Sequence, residues 1–168
     1  AGSAASKLLH GERPPGAREL PNNAMGKYIE GHVHRFINSE IAAAERKERN
    51  FDKSEIPPAE SIIIRSVSQK QVKHKVFPRI AARTEYPAEL DYTSKAIMMF
   101  QRDDTDVDIA LFAMYVQEYD DKAPGVNKRM AYIAYLDSVS YMRPKKLRTQ
   151  IYHEILLAYM EWIKRRGF

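Results

Sequence analysis

Between residues 24 and 41 the apolar side chains Met25, Tyr28, Ile29, Val33, Phe36, Ile37 and Ile41 recur every three or four positions. That is the spacing of one face of an α-helix, and Asn22 or Asn23 supplies its N-cap. Residues 42–49 turn highly charged, and Pro57-Pro58 closes the segment. Then the period changes. Residues 61–67, with Ile62, Ile63 and Ile64, form a short β-branched run, and residues 72–76 alternate valine with lysine and histidine. Ser68-Gln69-Lys70 between them predicts a hairpin turn, while Pro78 and Pro87 predict a loop or short helical turns over 78–92.

Two apolar runs follow, 95–101 and 107–119, joined only by Arg102-Asp-Asp-Thr-Asp106. So short a connection leaves no room for a crossover helix, which makes these strands antiparallel neighbours. A loop over 120–128 containing Pro124-Gly125 leads into a further strand, 130–136. The near-continuous apolar character of 107–119 and 130–136 predicts central strands covered on both faces by helices, with 132–136 buried. Residues 137–146 read as a loop carrying Arg143, Lys145 and Lys146. From Leu147 onward Ile151, Ile155, Leu156, Tyr159, Trp162 and Ile163 form a broad apolar helical stripe, which Gly167 is placed to end. By the same spacing Tyr132, Tyr135, Tyr152 and Tyr159 read as core residues. The expected fold class is α/β (α+β): a central, mostly antiparallel sheet flanked by the Asn22 helix and the Thr149 helix. Residues 1–21, with Gly-Glu-Arg-Pro-Pro-Gly and no apolar period, read as a flexible lead-in to one domain over 22–168. The lack of an initiator methionine suggests a piece of a longer polypeptide.

Composition narrows the function classes. At 44% hydrophobic, 168 residues suffice for one real core. With no cysteine, neither a disulfide framework nor a thiolate zinc site is available. No apolar run approaches the length of a membrane span. A net charge of +5 suits a polyanionic neighbour but more often marks just a solvated surface, so charge alone decides nothing. Asp104-Thr-Asp106-Val-Asp108 begins like a calcium loop, but Ile109 stands where glycine is needed and Tyr115 where glutamate is needed. That segment reads as a solvated turn. His153-Glu154 begins like a zinc-protease helix, yet Leu157 occupies the partner histidine's place. His32 and His34 point to different faces and read as surface residues, so no metal is expected.

The strongest chemistry lies where a strand, a basic loop and a helix start meet. The first N–H groups of a helix lack internal partners, and the helix dipole favours negative charge there. Arg148 adds a planar fork able to hold two phosphate oxygens, Thr149 adds a hydroxyl, and Arg143, Lys145 and Lys146 add charge. Asp137 and Ser138, at the strand's end, are placed to hold the uncharged part of the same ligand.

In that stretch Tyr135-Leu-Asp-Ser138, Arg143-Pro144, Leu147-Arg-Thr149 and Tyr152-His-Glu-Ile-Leu156 closely resemble the acetyl-CoA-binding segment of histone acetyltransferases of the CREB-binding-protein type. Phe112-Ala-Met-Tyr-Val-Gln-Glu-Tyr119, followed by Asn127-Lys-Arg129 and Tyr132-Ile133, resembles the Phe-Gly-Met-x-Val-Gln-Glu-Tyr strand of that family and its continuation. The resemblance covers roughly the last two-thirds of the chain. It implies a protein-lysine acetyltransferase of the transcriptional coactivator type. Leu136, Asp137 and Ser138 would hold pantetheine and pyrophosphate, and Arg148, Thr149 and Tyr152 would lie at the CoA phosphates. It further implies acetyl-CoA as co-substrate, direct transfer to lysine, and a nuclear location. The implied partners are histone tails, other lysine-bearing proteins and, through flanking regions, transcription factors. No direct nucleic-acid binding and no membrane partner are expected.

The chain departs from the family at Ala134, where serine is usual, and at Ala113, where glycine is usual. It also ends before the family's later tunnel tryptophan and the tyrosine proposed as general acid. The catalytic residues are therefore expected beyond residue 168, with this stretch inactive on its own and marginally stable. A rival class is a non-catalytic acetyl-CoA-binding pseudoenzyme or scaffold module.

Overall fold

The computed structural model describes residues 15–47, 52–84 and 86–168. Helix α1 spans Ala24–Lys47. The strands follow as β1 (Ile62–Lys75), β2 (Glu89–Arg102), β3 (Asp108–Tyr119) and β4 (Met130–Ser138). A short helix α2 (Pro78–Thr84) sits between β1 and β2, and α3 (Arg148–Arg165) follows β4. The strands form one antiparallel sheet in the order β1-β2-β3-β4, in agreement with the predicted fold class.

Asn23 caps α1 by accepting a hydrogen bond from the Gly26 N–H at 3.0 Å. Asn22 reaches outward instead, accepting from the Ser66 N–H at 3.2 Å. The helix therefore lies close on β1, and Gly26 permits it: a Cβ there would fall 1.9 Å from Asn22 Oδ1 and 2.9 Å from the Ser66 nitrogen. Alanine gains about 1 kcal/mol of helix propensity over glycine, but overpacking costs about 1–3 kcal/mol. Gly26→Ala should therefore lower stability, as read by urea unfolding; a stabilised variant would contradict the close approach.

Ile29, Val33 and Ile37 of α1 and Ile151, Ile155 and Tyr159 of α3 pack with Ile62, Ile64, Ile97, Met99, Met114 and Val116 of the sheet. Burying this apolar surface is the main force holding helices to strands. The helix seam is also polar. Tyr28 donates to Glu161 Oε2 at 2.6 Å, and His32 Nε2 lies 2.7 Å from Glu154 Oε2. His34 Nε2 donates to the Ile62 carbonyl at 2.8 Å. The two histidines do point to different faces, but both are half-buried and partnered rather than surface residues, because α1 is covered on two sides.

Further sequence expectations change. The hairpin at 68–70 is absent: β1 is one strand paired with β2 along its length, with a bulge between Ser66 and Ser68. The polar residues there mark the strand leaving the covered body rather than turning back. Residues 78–92 do hold the short helical turns of one alternative, at Pro78–Thr84, but from Glu89 onward they already run as the start of β2. Finally, 130–136 is no buried central strand but the sheet's edge, with Tyr132 59% and Tyr135 69% exposed. The helices pack over β1 to β3, and an apolar run cannot reveal whether anything covers it. Of the four tyrosines read as core, Tyr159 is buried and Tyr152 half-buried.

The Asp103 turn is held as expected of a solvated hairpin. Its carboxylate accepts from the Val107 and Thr105 N–H groups, each at 2.9 Å, and from the Thr105 hydroxyl. Those donors, Val107 first, keep it below the usual carboxylate range. The lead-in reading of residues 1–14 lies outside the described residues. Ala17, by contrast, is buried and donates to Asp108 Oδ2 at 2.6 Å.

Candidate cofactor cleft

Strand β4 ends beside the N-terminus of α3, and the loop between them closes a cleft of about 370 Å³. Leu136, Ser138, Arg148, Thr149 and Tyr152 line it, so the fold gathers five of the six residues singled out in the sequence. Asp137 is the exception. Side chains alternate across a strand, and Asp137 lines a neighbouring pocket with Met98 and Ala113, its carboxylate accepting from the Ser138 N–H at 2.8 Å. The two pockets meet along Phe112, Ser138 and Val139.

The helix start is equipped for an anion. Leu147 is its N-cap and makes no side-chain cap, and the first turn contains no acidic residue. Among the described residues, no backbone acceptor serves the Thr149 and Gln150 N–H groups, whereas Arg148 N–H donates to the Lys145 carbonyl at 3.2 Å. Open donors and the positive end of the dipole thus lie beside a cleft that Arg148 and Thr149 line. Among the described residues the Arg148 guanidinium makes one long hydrogen bond, from Nη1 to the Ser140 carbonyl at 3.4 Å, which leaves most of its fork for a ligand. Thr149 is exposed at the cleft mouth. This donor set fits a phosphate or pyrophosphate, and the Leu136 and Phe112 side chains fit an apolar chain leading from it.

Tyr152 does a different job. Its hydroxyl donates to the Val139 carbonyl at 3.0 Å, and its ring packs tilted against Phe112, with centroids 5.5 Å apart. Burial raises its pKa above the ordinary phenol value. It forms a wall that ties the loop to α3 and β3.

The loop is pinned from behind by Gln101, which no pattern of residue types singles out. Its amide accepts from the Arg143 N–H at 2.9 Å and donates to the Arg143 carbonyl. Met142 and Leu147 anchor the same loop in the core. Gln101→Met would leave both backbone groups unpaired, costing about 1–3 kcal/mol. Faster amide exchange at Arg143, together with a lower melting temperature, is the expected readout. His153 also lines the cleft. It lies four residues after Thr149, hence on the same helix face, and that spacing could have found it. Among the described residues no cluster of side chains could hold a metal ion, and no helix is long and apolar enough to cross a membrane.

Ala134, one of the two departures noted above, is the extra residue of a bulge in β4: Tyr115 pairs with Tyr135 and Val116 with Ile133. A bulge re-aims the side chains that follow it. Here those are Leu136 to Ser138.

An antiparallel sheet whose last strand feeds a basic loop and an anion-ready helix start defines an acetyltransferase-like α/β fold. Residues 49–168 match the family described as histone acetyltransferase domain KAT3, and the chain belongs to that family. It is 41% identical to the probable histone acetyltransferase HAC-like 3 of Oryza sativa subsp. japonica, over 91% of this chain and 13% of the relative. Histone acetyltransferase HAC1 of Arabidopsis thaliana is 40% identical over 91% of this chain and 10% of its own length. Protein cbp-1 of Caenorhabditis elegans is 32% identical over 90% and 7% respectively. The similarity thus reaches upstream of the motifs into α1, and the chain spans about a tenth of the length of these curated relatives.

Proposed function

We propose that this chain binds acetyl-CoA in the cleft between β4 and α3. It would take part there in transferring the acetyl group to lysine side chains of histone tails and other nuclear proteins, as in a transcriptional coactivator. The observation that carries this reading is the convergence of Arg148 and the open N–H groups of α3 on a cleft with an apolar wall. The CoA phosphates would lie at Arg148, Thr149 and the helix start, and the pantetheine along Leu136 and Ser138. Tyr152 would position the loop rather than touch the reacting atoms. The thioester supplies the activated acyl group, while the chain's own residues bind and orient it. Asp137, on the other side of β4, would meet the ligand only where the two pockets join, along Ser138 and Val139.

Titration of the chain with CoA and with a pantetheine fragment lacking the nucleotide tests the proposal. CoA should bind much more tightly than the fragment, and equal affinities would remove the phosphate site. Acetyl transfer to a histone-tail peptide by a protein containing this domain separates the enzyme from a non-catalytic cofactor-binding module. The latter would bind CoA without turnover.

A further inference from the structure

Strand β1 is the other edge of the sheet, opposite the cofactor cleft. Its outward backbone groups are treated in two ways. Over the first half they are satisfied by α1 and the residues leading into it: Ile64 N–H donates to Glu30 Oε2 at 2.7 Å and Ser66 N–H to Asn22 Oδ1 at 3.2 Å. The Ile62 carbonyl accepts from His34 at 2.8 Å, and the Ile64 carbonyl from Asn22 at 3.4 Å. Beyond the bulge between Ser66 and Ser68 this cover stops.

The bulge also reverses which residues face outward. Val76 N–H donates inward to the Ala88 carbonyl at 2.9 Å. Alternation along an antiparallel ladder then turns the N–H and C=O groups of Gln69, Gln71, Lys73 and Lys75 away from β2. Among the described residues these groups have no partner, and all four residues are exposed. Unpaired edge groups of this kind are a template for another strand.

Charge selects the occupant. Between Ser61 and Thr84 there is no Asp or Glu, while Lys70, Lys73, Lys75, Arg79 and Arg83 are all exposed. A second copy paired along this edge would set lysine beside lysine, which edge strands use to prevent self-association. Lys73 and Lys75 already face Asp91 and Glu89 on β2. On the other face Lys70 stands opposite Ser94 and His74 opposite Leu90, with half-buried Val72 and Tyr92 between them.

We propose that the open half of β1, Gln69 to Lys75, is a docking edge for an extended acidic peptide of a partner protein, which adds a strand to the sheet. Its acidic residues would alternate with an apolar one, lying beside Lys70, Val72 and His74. Backbone pairing gives the affinity, and the alternating side chains give the specificity. Such a partner is the opposite in charge of a basic histone tail. The edge would thus recruit a regulator or scaffold rather than a substrate.

The probe is the synthetic peptide acetyl-Thr-Glu-Thr-Val-Thr-Glu-Thr-amide, titrated into the chain by calorimetry with amide exchange followed in parallel. Slowed exchange at Gln71, Lys73 and Lys75 is expected. Lys73→Pro removes an outward N–H without breaking the ladder to β2, and should weaken binding at least tenfold, as should N-methylation of alternate peptide bonds in the probe. The methylated probe needs only the unaltered protein, so the test survives a misfolded variant. Lys70→Glu should weaken binding by roughly two- to five-fold, and a lysine-for-glutamate peptide should recover it. Undiminished binding of the methylated probe would overturn the proposal, as would a dimer protected at these amides without any peptide. So would binding of duplex DNA in preference to the peptide, with equal affinity in Lys73→Pro, since that describes a plain cationic patch.

Discussion

Replacing Lys95 by methionine should destabilise the protein by about 3–5 kcal/mol, the usual cost of removing one partner from a buried ion pair. Lys95 Nζ lies 2.6 Å from Glu118 Oε2, and both residues are only 4% exposed. Without Lys95 the Glu118 carboxylate would keep two weak neighbours, the Tyr159 hydroxyl at 3.5 Å and Arg166 at 3.8 Å, the latter half in solvent. Burial and the nearby Glu118 push the Tyr159 phenol far up and so hold it protonated and neutral; it can offer a hydrogen bond but no positive charge in place of Lys95. For a chain of this length the loss corresponds to a fall in melting temperature of about 6–20 °C. The double variant Lys95→Met with Glu118→Leu should recover most of it, because a well-packed apolar pair can replace a buried ion pair at little cost. A single variant within about 1 kcal/mol of the parent would mean that water reaches Glu118 and that Lys95 is not its necessary partner.

That pair joins β2, β3 and α3, and nothing in the sequence announces it. Lys95 sits at the start of an apolar run and Glu118 inside a motif, and only the diagonal register of two strands makes them neighbours. The elements themselves were largely legible, because helix faces and antiparallel connections are written in local spacing. Asn23 caps α1 as such spacing requires, and Gly167, at φ +85°, stands just past α3 where the helix must stop. Layering was less legible. The run 130–136 looked central because it is apolar, whereas its exposure depends on where the helices come to rest. The break at 68–70 looked like a turn because a bulge and a turn share the same polar residues.

The cofactor cleft was legible because it is built from consecutive elements: the end of β4, one loop and the first turn of α3. Leu136, Ser138, Arg148, Thr149 and Tyr152 therefore come together by short-range geometry. What stayed hidden is long-range. Gln101, on β2, clamps the Arg143 backbone across 42 residues of chain. Asp137 follows strand alternation onto the opposite face, a consequence of period two that residue types alone do not convey.

Arg148→Ala is expected to weaken CoA binding by roughly ten- to a hundred-fold, since a charge-assisted hydrogen bond contributes about 1.5–3 kcal/mol. The loss should be partial, because the Thr149 hydroxyl and the helix N–H groups stay in place. Arg148→Lys should restore only part of the affinity, as a point charge replaces a planar fork. The fold should be little affected, for among the described residues the Arg148 side chain makes one long hydrogen bond, to the Ser140 carbonyl. Calorimetry of Arg148→Ala against CoA and against the pantetheine fragment compares the two ends of the ligand directly. A large loss for CoA with little change for the fragment is the predicted result, and equal losses for both would contradict a phosphate site at the start of α3.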